Sequence, residues 1–123
     1  MPTTAAVPQG VPTQFEARLN GLPEGSTLLV EDGVGAWVEW RVPRVYPVID
    51  GLLDAYPVDY IRQFYDFKKV APGWQDFVNR SGARDAVLLD GSPVSAALQD
   101  QLGWTVVQKD RAWVYLMAPT GRP

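Results

Sequence analysis

The chain contains no cysteine and no histidine among its 123 residues. This excludes thiolate nucleophiles, zinc sites built from cysteine and histidine, haem ligation by histidine, and the commonest general base near neutral pH. A metal site made only of oxygen ligands stays open, because 14 residues are Asp or Glu. No arrangement of side chains in the sequence identifies a catalytic residue, and we predict neither a cofactor nor a metal.

Long apolar runs and basic clusters are also missing. No run of about 18 apolar residues is present, so this chain is not expected to span a bilayer. The first residues have neither a basic stretch nor an apolar run, and we expect no signal peptide there. The formal net charge is −3 and the only adjacent basic pair is Lys68 and Lys69, so nucleic acid is not an expected partner.

The length and composition fit a single globular domain. A mass of 13.6 kDa and a hydrophobic share of 46% allow one core without a metal or a disulfide. Residues 1–12 are rich in Pro, Thr and Ala and are interpreted as a linker or arm. We assign residues 13–118 to one domain and residues 119–123 to a loose tail.

Helical and extended patterns alternate along this domain. The predicted helices are Thr13–Leu22, Gly35–Val42, about Pro57 to Val70, Trp74–Arg80 and Ser92–Gly103, and the predicted strands are Thr27–Glu31, Val45–Ile49, Asp85–Leu89, Trp104–Lys109 and Ala112–Met117. Pro47 favours a position at an edge or next to a bulge for the second strand, because proline cannot donate to a sheet ladder. The pattern predicts a small α/β domain of two or three layers, with a mostly parallel sheet of about five strands and a C-terminal antiparallel hairpin.

A glycine-containing turn follows the first strand, in the run Glu31-Asp-Gly-Val-Gly35. Dinucleotides and methyl-donor cofactors bind at such turns, with an acid at the end of the next strand to hold a ribose, and Asp50 occupies that place. The third glycine of the dinucleotide pattern is replaced by Val38, however, and the acids of the turn would repel a pyrophosphate. A purely structural turn is therefore the favoured interpretation.

The loop after the second strand is the preferred candidate for a ligand pocket, because ligands of open α/β sheets bind at the carboxyl ends of strands. Its candidate residues are Asp50, Asp54, Tyr56 and Asp59. The carboxylates would suit acid/base chemistry or a cation. The alternative is that Asp50 forms a turn and Asp59 stabilises the start of a helix.

The chain has five tryptophans, which is a rich supply for its length. Trp37, Trp40 and Trp113 would suit a carbohydrate platform, because flat apolar rings stack on sugar faces. The alternative is that they fill a small core between helix and sheet, which is the commoner use of such residues.

An ordered set of short motifs covers roughly residues 20 to 118. Its members are Gly33-Val-Gly-Ala-Trp-Val-Glu-Trp40, Val48-Ile-Asp-Gly-Leu-Leu-Asp-Ala-Tyr56, Trp74-Gln-Asp-Phe-Val78, Arg84-Asp-Ala-Val-Leu-Leu89, Ser92-Pro-Val-Ser-Ala-Ala-Leu98, Gly103-Trp104 and Lys109-Asp-Arg-Ala-Trp-Val-Tyr115. In its order this set resembles the C-terminal region of polytopic bacterial membrane proteins of the dolichyl-phosphate-mannose mannosyltransferase-like, glycosyltransferase family 39-like group. One departure is Leu52, where that group has an arginine after Asp-Gly.

The resemblance implies a non-catalytic, soluble accessory domain of a larger integral membrane protein, on the extracytoplasmic side of the cell membrane. The catalytic acid and the lipid-phosphate-sugar site of such parents lie in the membrane-embedded part. The implied partners are the remainder of the parent chain and a carbohydrate or other acceptor. Two alternatives stay open. One is a free-standing cytoplasmic domain that binds a nucleotide or S-adenosylmethionine at Gly33–Gly35 and Asp50, and the other is a homo-oligomer joined along the edge Val45–Ile49.

Overall fold

A five-stranded mixed sheet forms the centre of the domain. The computed structural model of the chain describes residues 13–49 and 56–119. The strands are β1 (Thr27–Val30), β2 (Tyr46–Pro47), β3 (Asp85–Leu89), β4 (Thr105–Asp110) and β5 (Trp113–Met117). Their order across the sheet is β2-β1-β3-β5-β4, which places β2 and β4 at the two edges. The edge position predicted for the proline-containing strand is confirmed.

The α/β class is confirmed, but the mostly parallel sheet is not. β1 pairs in parallel with β2 and β3, whereas β5 pairs antiparallel with β3 and β4. The C-terminal hairpin does not simply extend a parallel sheet, because its second strand inserts between β3 and the first strand of the hairpin. The insertion turns half of the strand pairs antiparallel.

Five α-helices connect and cover the strands of the described chain. They are α1 (Glu16–Asn20, preceded by a 3-10 turn at Thr13–Phe15), α2 (Asp32–Arg41), α3 (Val58–Lys69), α4 (Trp74–Ser81) and α5 (Pro93–Leu102). The first helix is shorter than predicted, and α2 begins three residues earlier than its predicted start at Gly35. Within residues 13–49 and 56–119, no helix combines the length and the apolar character needed to cross a membrane.

The helices form two layers on opposite faces of the sheet. β2 and β3 flank β1 on opposite sides, so right-handed crossovers place α2 on one face and the α3–α4 pair on the other. The first layer joins α2 to α1, where the Arg41 guanidinium lies 3.0 Å from the Glu16 carboxylate. The Phe15 ring meets Tyr115 of the sheet edge-on, at 5.5 Å between centroids. The domain is thus a three-layer sandwich, with the sheet between two layers of helices. The sequence analysis predicted either two or three layers.

The ends of α5 follow the predicted capping pattern. The Ser92 hydroxyl accepts a hydrogen bond from the Ser95 amide at 3.3 Å, and Pro93 occupies the first helical position. Gly103 ends the helix with φ of 75°, a left-handed conformation that glycine adopts without strain. Of the tail predicted to be loose, Pro119 is described, and its carbonyl accepts a hydrogen bond from Arg84 at 2.7 Å. The predicted arm 1–12 lies outside the described residues.

The edge strand β4 carries an irregularity. Its register against β5 shifts between Val106 and Gln108, which is the signature of a β-bulge. The extra residue, Val107, is 39% exposed. The turn that follows β4 falls at Arg111 and Ala112, slightly later than the predicted Lys109–Arg111.

Aromatic rings join α3 to α4. Phe77 of α4 is 5% exposed and lies at centroid distances of 5.7 Å from Tyr60, 6.3 Å from Phe64 and 5.1 Å from Phe67. The Tyr60 hydroxyl donates a hydrogen bond to the Val48 carbonyl, which fixes α3 to the chain after β2. These contacts make Phe77 the centre of the helical layer.

We expect Phe77→Ala to lower the free energy of unfolding by about 3–5 kcal/mol, because it removes a buried ring and leaves a cavity among three others. Chemical denaturation followed by circular dichroism measures the change. Val58→Ala is the control, since Val58 is 74% exposed and its truncation should change stability by less than about 0.5 kcal/mol. Equal effects of the two substitutions would contradict the assigned role of Phe77.

Candidate functional site

The connection between β1 and α2 consists of one residue, Glu31. The expected glycine turn is therefore not a loop, because Gly33 and Gly35 both lie inside α2. The Glu31 carbonyl accepts hydrogen bonds from the amides of Val34 at 3.0 Å and Gly35 at 3.2 Å, as in the first turn of a helix. The chain has no free segment at this point that could wrap around a phosphate.

The Glu31 side chain is buried at this connection and is 7% exposed as a residue. Its carboxylate lies 3.4 Å from the Lys68 ammonium, which α3 brings to the carboxyl end of β1. The same ammonium lies 5.7 Å from the centroid of the Phe64 ring and 5.4 Å from that of Tyr65. An ion pair and two cation–π contacts thus hold one lysine over the end of β1.

This ion pair occupies the place where doubly wound sheets bind nucleotides. The chain leaves β1 toward β2 and leaves β3 in the opposite direction toward β4, so the topological switch point lies between the carboxyl ends of β1 and β3. A phosphate at the start of α2 would gain from the helix dipole. It would also meet the buried Glu31 carboxylate, which is already paired with Lys68. The geometry therefore favours a closed structural contact over an anion site.

Of the acids and the tyrosine predicted to form a pocket, the structure describes Tyr56 and Asp59. Asp50 and Asp54 lie outside the described residues. Tyr56 stacks on Tyr60 at 5.2 Å between ring centroids. Asp59 projects from the first turn of α3 with its side chain 80% exposed, and its carboxylate lies 3.1 Å from Arg62. A negative charge in the first turn of a helix also interacts favourably with the helix dipole.

The three tryptophans considered as a carbohydrate platform have different environments. Trp37 belongs to the core at 3% exposure, and Trp113 is partly buried and packs against the core. Trp40 is 58% exposed and lies in the last turn of α2. The structure thus places Trp40 in solvent and the other two tryptophans wholly or partly in the core.

A buried hydrogen bond that sequence reasoning missed joins β3 to β5. The Tyr115 hydroxyl, on a fully buried side chain, donates to the Asp85 carboxylate at 2.8 Å, and Asp85 is 7% exposed. The Arg18 guanidinium lies 5.3 Å from the centroid of the Tyr115 ring. Burial raises the pKa of Asp85, against the lowering effects of the Tyr115 hydrogen bond and of the nearby Arg84 and Arg18. Burial, followed by the hydrogen bond to Asp85, raises the pKa of Tyr115.

Two cavities lie near this pair, at the end of the sheet where β1 and β3 begin. The sequence predicts a pocket at the other end, where the parallel strands finish. A cavity of about 240 Å³ is lined by Leu22, Pro23, Ser26, Thr27, Gly82, Arg84, Asp85, Met117 and Ala118. A second, of about 310 Å³, shares Gly82, Arg84 and Ala118 with it and reaches Trp104. Because the strand pairing that brings Asp85 and Tyr115 together is antiparallel and non-local, spacing along the chain gave no signal for this region.

The described acids do not gather into a metal-binding group. Among residues 13–49 and 56–119, no group of three acidic side chains is close enough to hold a metal ion. Glu16, Glu31, Asp59 and Asp90 each form an ion pair with a basic side chain. The arrangement of the described carboxylates serves packing and ion pairing.

Comparison of the chain with protein-family models, with curated proteins and with solved structures found no match.

We expect Lys68→Met to lower the free energy of unfolding by about 1–3 kcal/mol, because it leaves the buried Glu31 carboxylate without its cation. Urea denaturation at pH 7 measures the effect. Lys69→Met is the matched control, since Lys69 is the next residue and is exposed. The double variant Glu31→Gln/Lys68→Met should recover part of the loss, and a double variant as unstable as the sum of the single changes would contradict the coupling.

We expect Asp85→Asn to change how stability depends on pH. Since the pKa of Asp85 is raised on folding, the folded chain holds this proton more tightly, and stability is lost as pH rises from the ordinary aspartate pKa of 3.8 through the folded pKa. The melting temperature of Asp85→Asn relative to the parent chain should therefore be higher at about pH 7 than at about pH 3.5. Asp100→Asn, at an exposed carboxylate, is the control, and a difference that does not vary with pH would refute the raised pKa.

Proposed function

We propose that this chain is a non-catalytic, water-exposed accessory domain of a larger integral membrane protein of the glycosyltransferase-like type. The observation that carries the proposal is the one-residue connection from β1 to α2, whose buried carboxylate is paired with Lys68. The usual reactive position of an α/β domain is occupied by the protein's own side chains. In this role the domain contacts and positions other molecules, whereas the membrane-embedded part of the parent protein catalyses the glycosyl transfer.

The composition supports the same proposal. Histidine and cysteine, which supply most general bases and thiolate nucleophiles, are absent from all 123 residues. Five of the described acids lie in ion pairs. Buried Asp85 accepts the Tyr115 hydroxyl, an arrangement that positions two strands against each other.

Attachment to a membrane protein rests on the ordered motifs that cover most of the domain. They resemble the region that follows the membrane spans in the family 39-like group, and such a region faces the extracytoplasmic side. In this role the domain holds an acceptor, a glycan or a neighbouring part of the parent close to the bilayer.

The alternatives are less well supported by the described residues. A nucleotide or S-adenosylmethionine needs an open turn after β1, and Gly33 and Gly35 are inside a helix instead. A dimer through the edge at Val45–Ile49 would have to pair along β2, which spans only Tyr46 and Pro47. Proline donates no hydrogen bond to a neighbouring strand, so this edge offers little to a second copy.

We expect the complete reading frame around this sequence to encode several hydrophobic spans, and its product to fractionate with membranes after carbonate washing. A frame that encodes these 123 residues alone, with a product that stays in solution, would refute the proposal. A thermal shift assay on the chain with millimolar ATP, NAD and S-adenosylmethionine provides the second arm. Ligand binding stabilises a fold by mass action, so a shift of several degrees would support the nucleotide alternative.

A further inference from the structure

The carboxylate of Asp85 borders the cavity of about 240 Å³ at the end of the sheet where β1 and β3 begin. Asp85 is 7% exposed, and its Oδ2 atom accepts the hydrogen bond from Tyr115. Of the residues that the structure describes, none donates a hydrogen bond to Oδ1 of Asp85, and none forms an ion pair with it. Every fully buried side-chain oxygen of the described chain has a hydrogen-bond partner. Oδ1 is therefore accessible, and the cavity that Asp85 lines gives access to it.

The two arginines that act on the charge of Asp85 are bound to other groups. The exposed Arg84 guanidinium donates to the Pro119 carbonyl at 2.7 Å. The Arg18 guanidinium donates to the Gln108 side chain at 3.0 Å. Burial raises the pKa of Asp85 by more than these two charges lower it. The carboxylate is thus incompletely compensated, and a cation in the cavity would stabilise it.

The walls of the cavity are largely apolar. Their apolar side chains belong to Leu22, Pro23, Met117 and Ala118. Met117 is the partner of Asp85 in the pairing of β5 with β3, so the two side chains lie on the same face of the sheet. Ala118 also lines the second cavity, of about 310 Å³. Ligand pockets start at about 300 Å³ and combine apolar walls with a few polar groups, so this region has the size and lining for a small organic molecule.

We propose that this cavity binds a small organic cation, with an ammonium group at Oδ1 of Asp85 and an apolar body against Leu22 and Met117. An ammonium is a compact charge with three hydrogen-bond donors, so it can bind Oδ1 while Tyr115 stays on Oδ2. An anion would be repelled by the carboxylate, and the net charge of −3 on the chain also favours a cation. The inference goes beyond the accessory role and does not depend on it, because all residues of the cavity belong to the described part of this chain.

Titration of the isotopically labelled 123-residue chain with benzylamine, followed through amide chemical shifts in NMR spectra, tests the proposal. We expect saturating shifts at the amides of residues that line the cavity, Thr27, Asp85 and Ala118 among them. Benzyl alcohol has nearly the same shape without the charge. It should bind about tenfold more weakly or less tightly still, because a hydrogen bond between charged groups contributes more than one to a neutral donor.

Two substitutions separate the carboxylate from the cavity. Asp85→Asn keeps an oxygen that can accept the Tyr115 hydroxyl, and it should weaken benzylamine binding by about tenfold or more while leaving benzyl alcohol binding unchanged. Ala118→Phe fills the cavity from its partly exposed side without altering Asp85, and it should abolish the binding of both probes. Asp100→Asn is the matched control for the loss of one negative charge, since Asp100 is exposed on α5.

Equal affinities for benzylamine and benzyl alcohol would overturn the proposal, as would full benzylamine affinity in folded Asp85→Asn. An absence of shifts around the cavity at tens of millimolar benzylamine would also overturn it. If Asp85→Asn does not fold, Ala118→Phe and the comparison of the two probes on the parent chain still decide the question. None of these results depends on the membrane fractionation of the complete frame, so this inference and the proposed function can fail separately.

Discussion

The direct passage from β1 into α2 is the constraint on which the rest of the domain depends. With a single residue between strand and helix, the Glu31 side chain has no loop in which to turn outward, and it is buried at the carboxyl end of β1. A buried carboxylate needs a cation, and Lys68 supplies it from α3. Because the one-residue connection between β1 and α2 buries Glu31, and Glu31 pairs with Lys68, the length of this connection also fixes where α3 lies over the end of β1.

The elements of the fold were largely predictable, because their signals are local. Ser92 and Pro93 mark the start of α5, Gly103 marks its end, and apolar runs mark β1 and β3. The sheet order was not predictable to the same degree, since the insertion of β5 between β3 and β4 depends on pairing between distant segments. The start of α2 was misplaced because glycine has low helix propensity, and tertiary packing overrides that preference at Gly33 and Gly35.

The residue types of the candidate site are evident from the sequence, whereas the burial of each residue depends on the fold. The sequence offered Trp37 and Trp40 either as a carbohydrate platform or, more commonly, as core residues, and the structure buries Trp37 but leaves Trp40 exposed. The two residues lie on one helix, and which of them faces the core depends on the layer packed against it. The pair of Asp85 and Tyr115 had no sequence signal, because its partners are 30 positions apart.

The bulge in β4 limits edge-to-edge association between copies of the domain that lie close together. An edge strand with regular spacing offers a template on which a second chain can extend the sheet. The register shift between Val106 and Gln108 interrupts that template, and the opposite edge is only two residues long. Neither edge of the sheet therefore offers a regular strand to which another copy could add. Many copies can share one surface without forming a continuous intermolecular sheet.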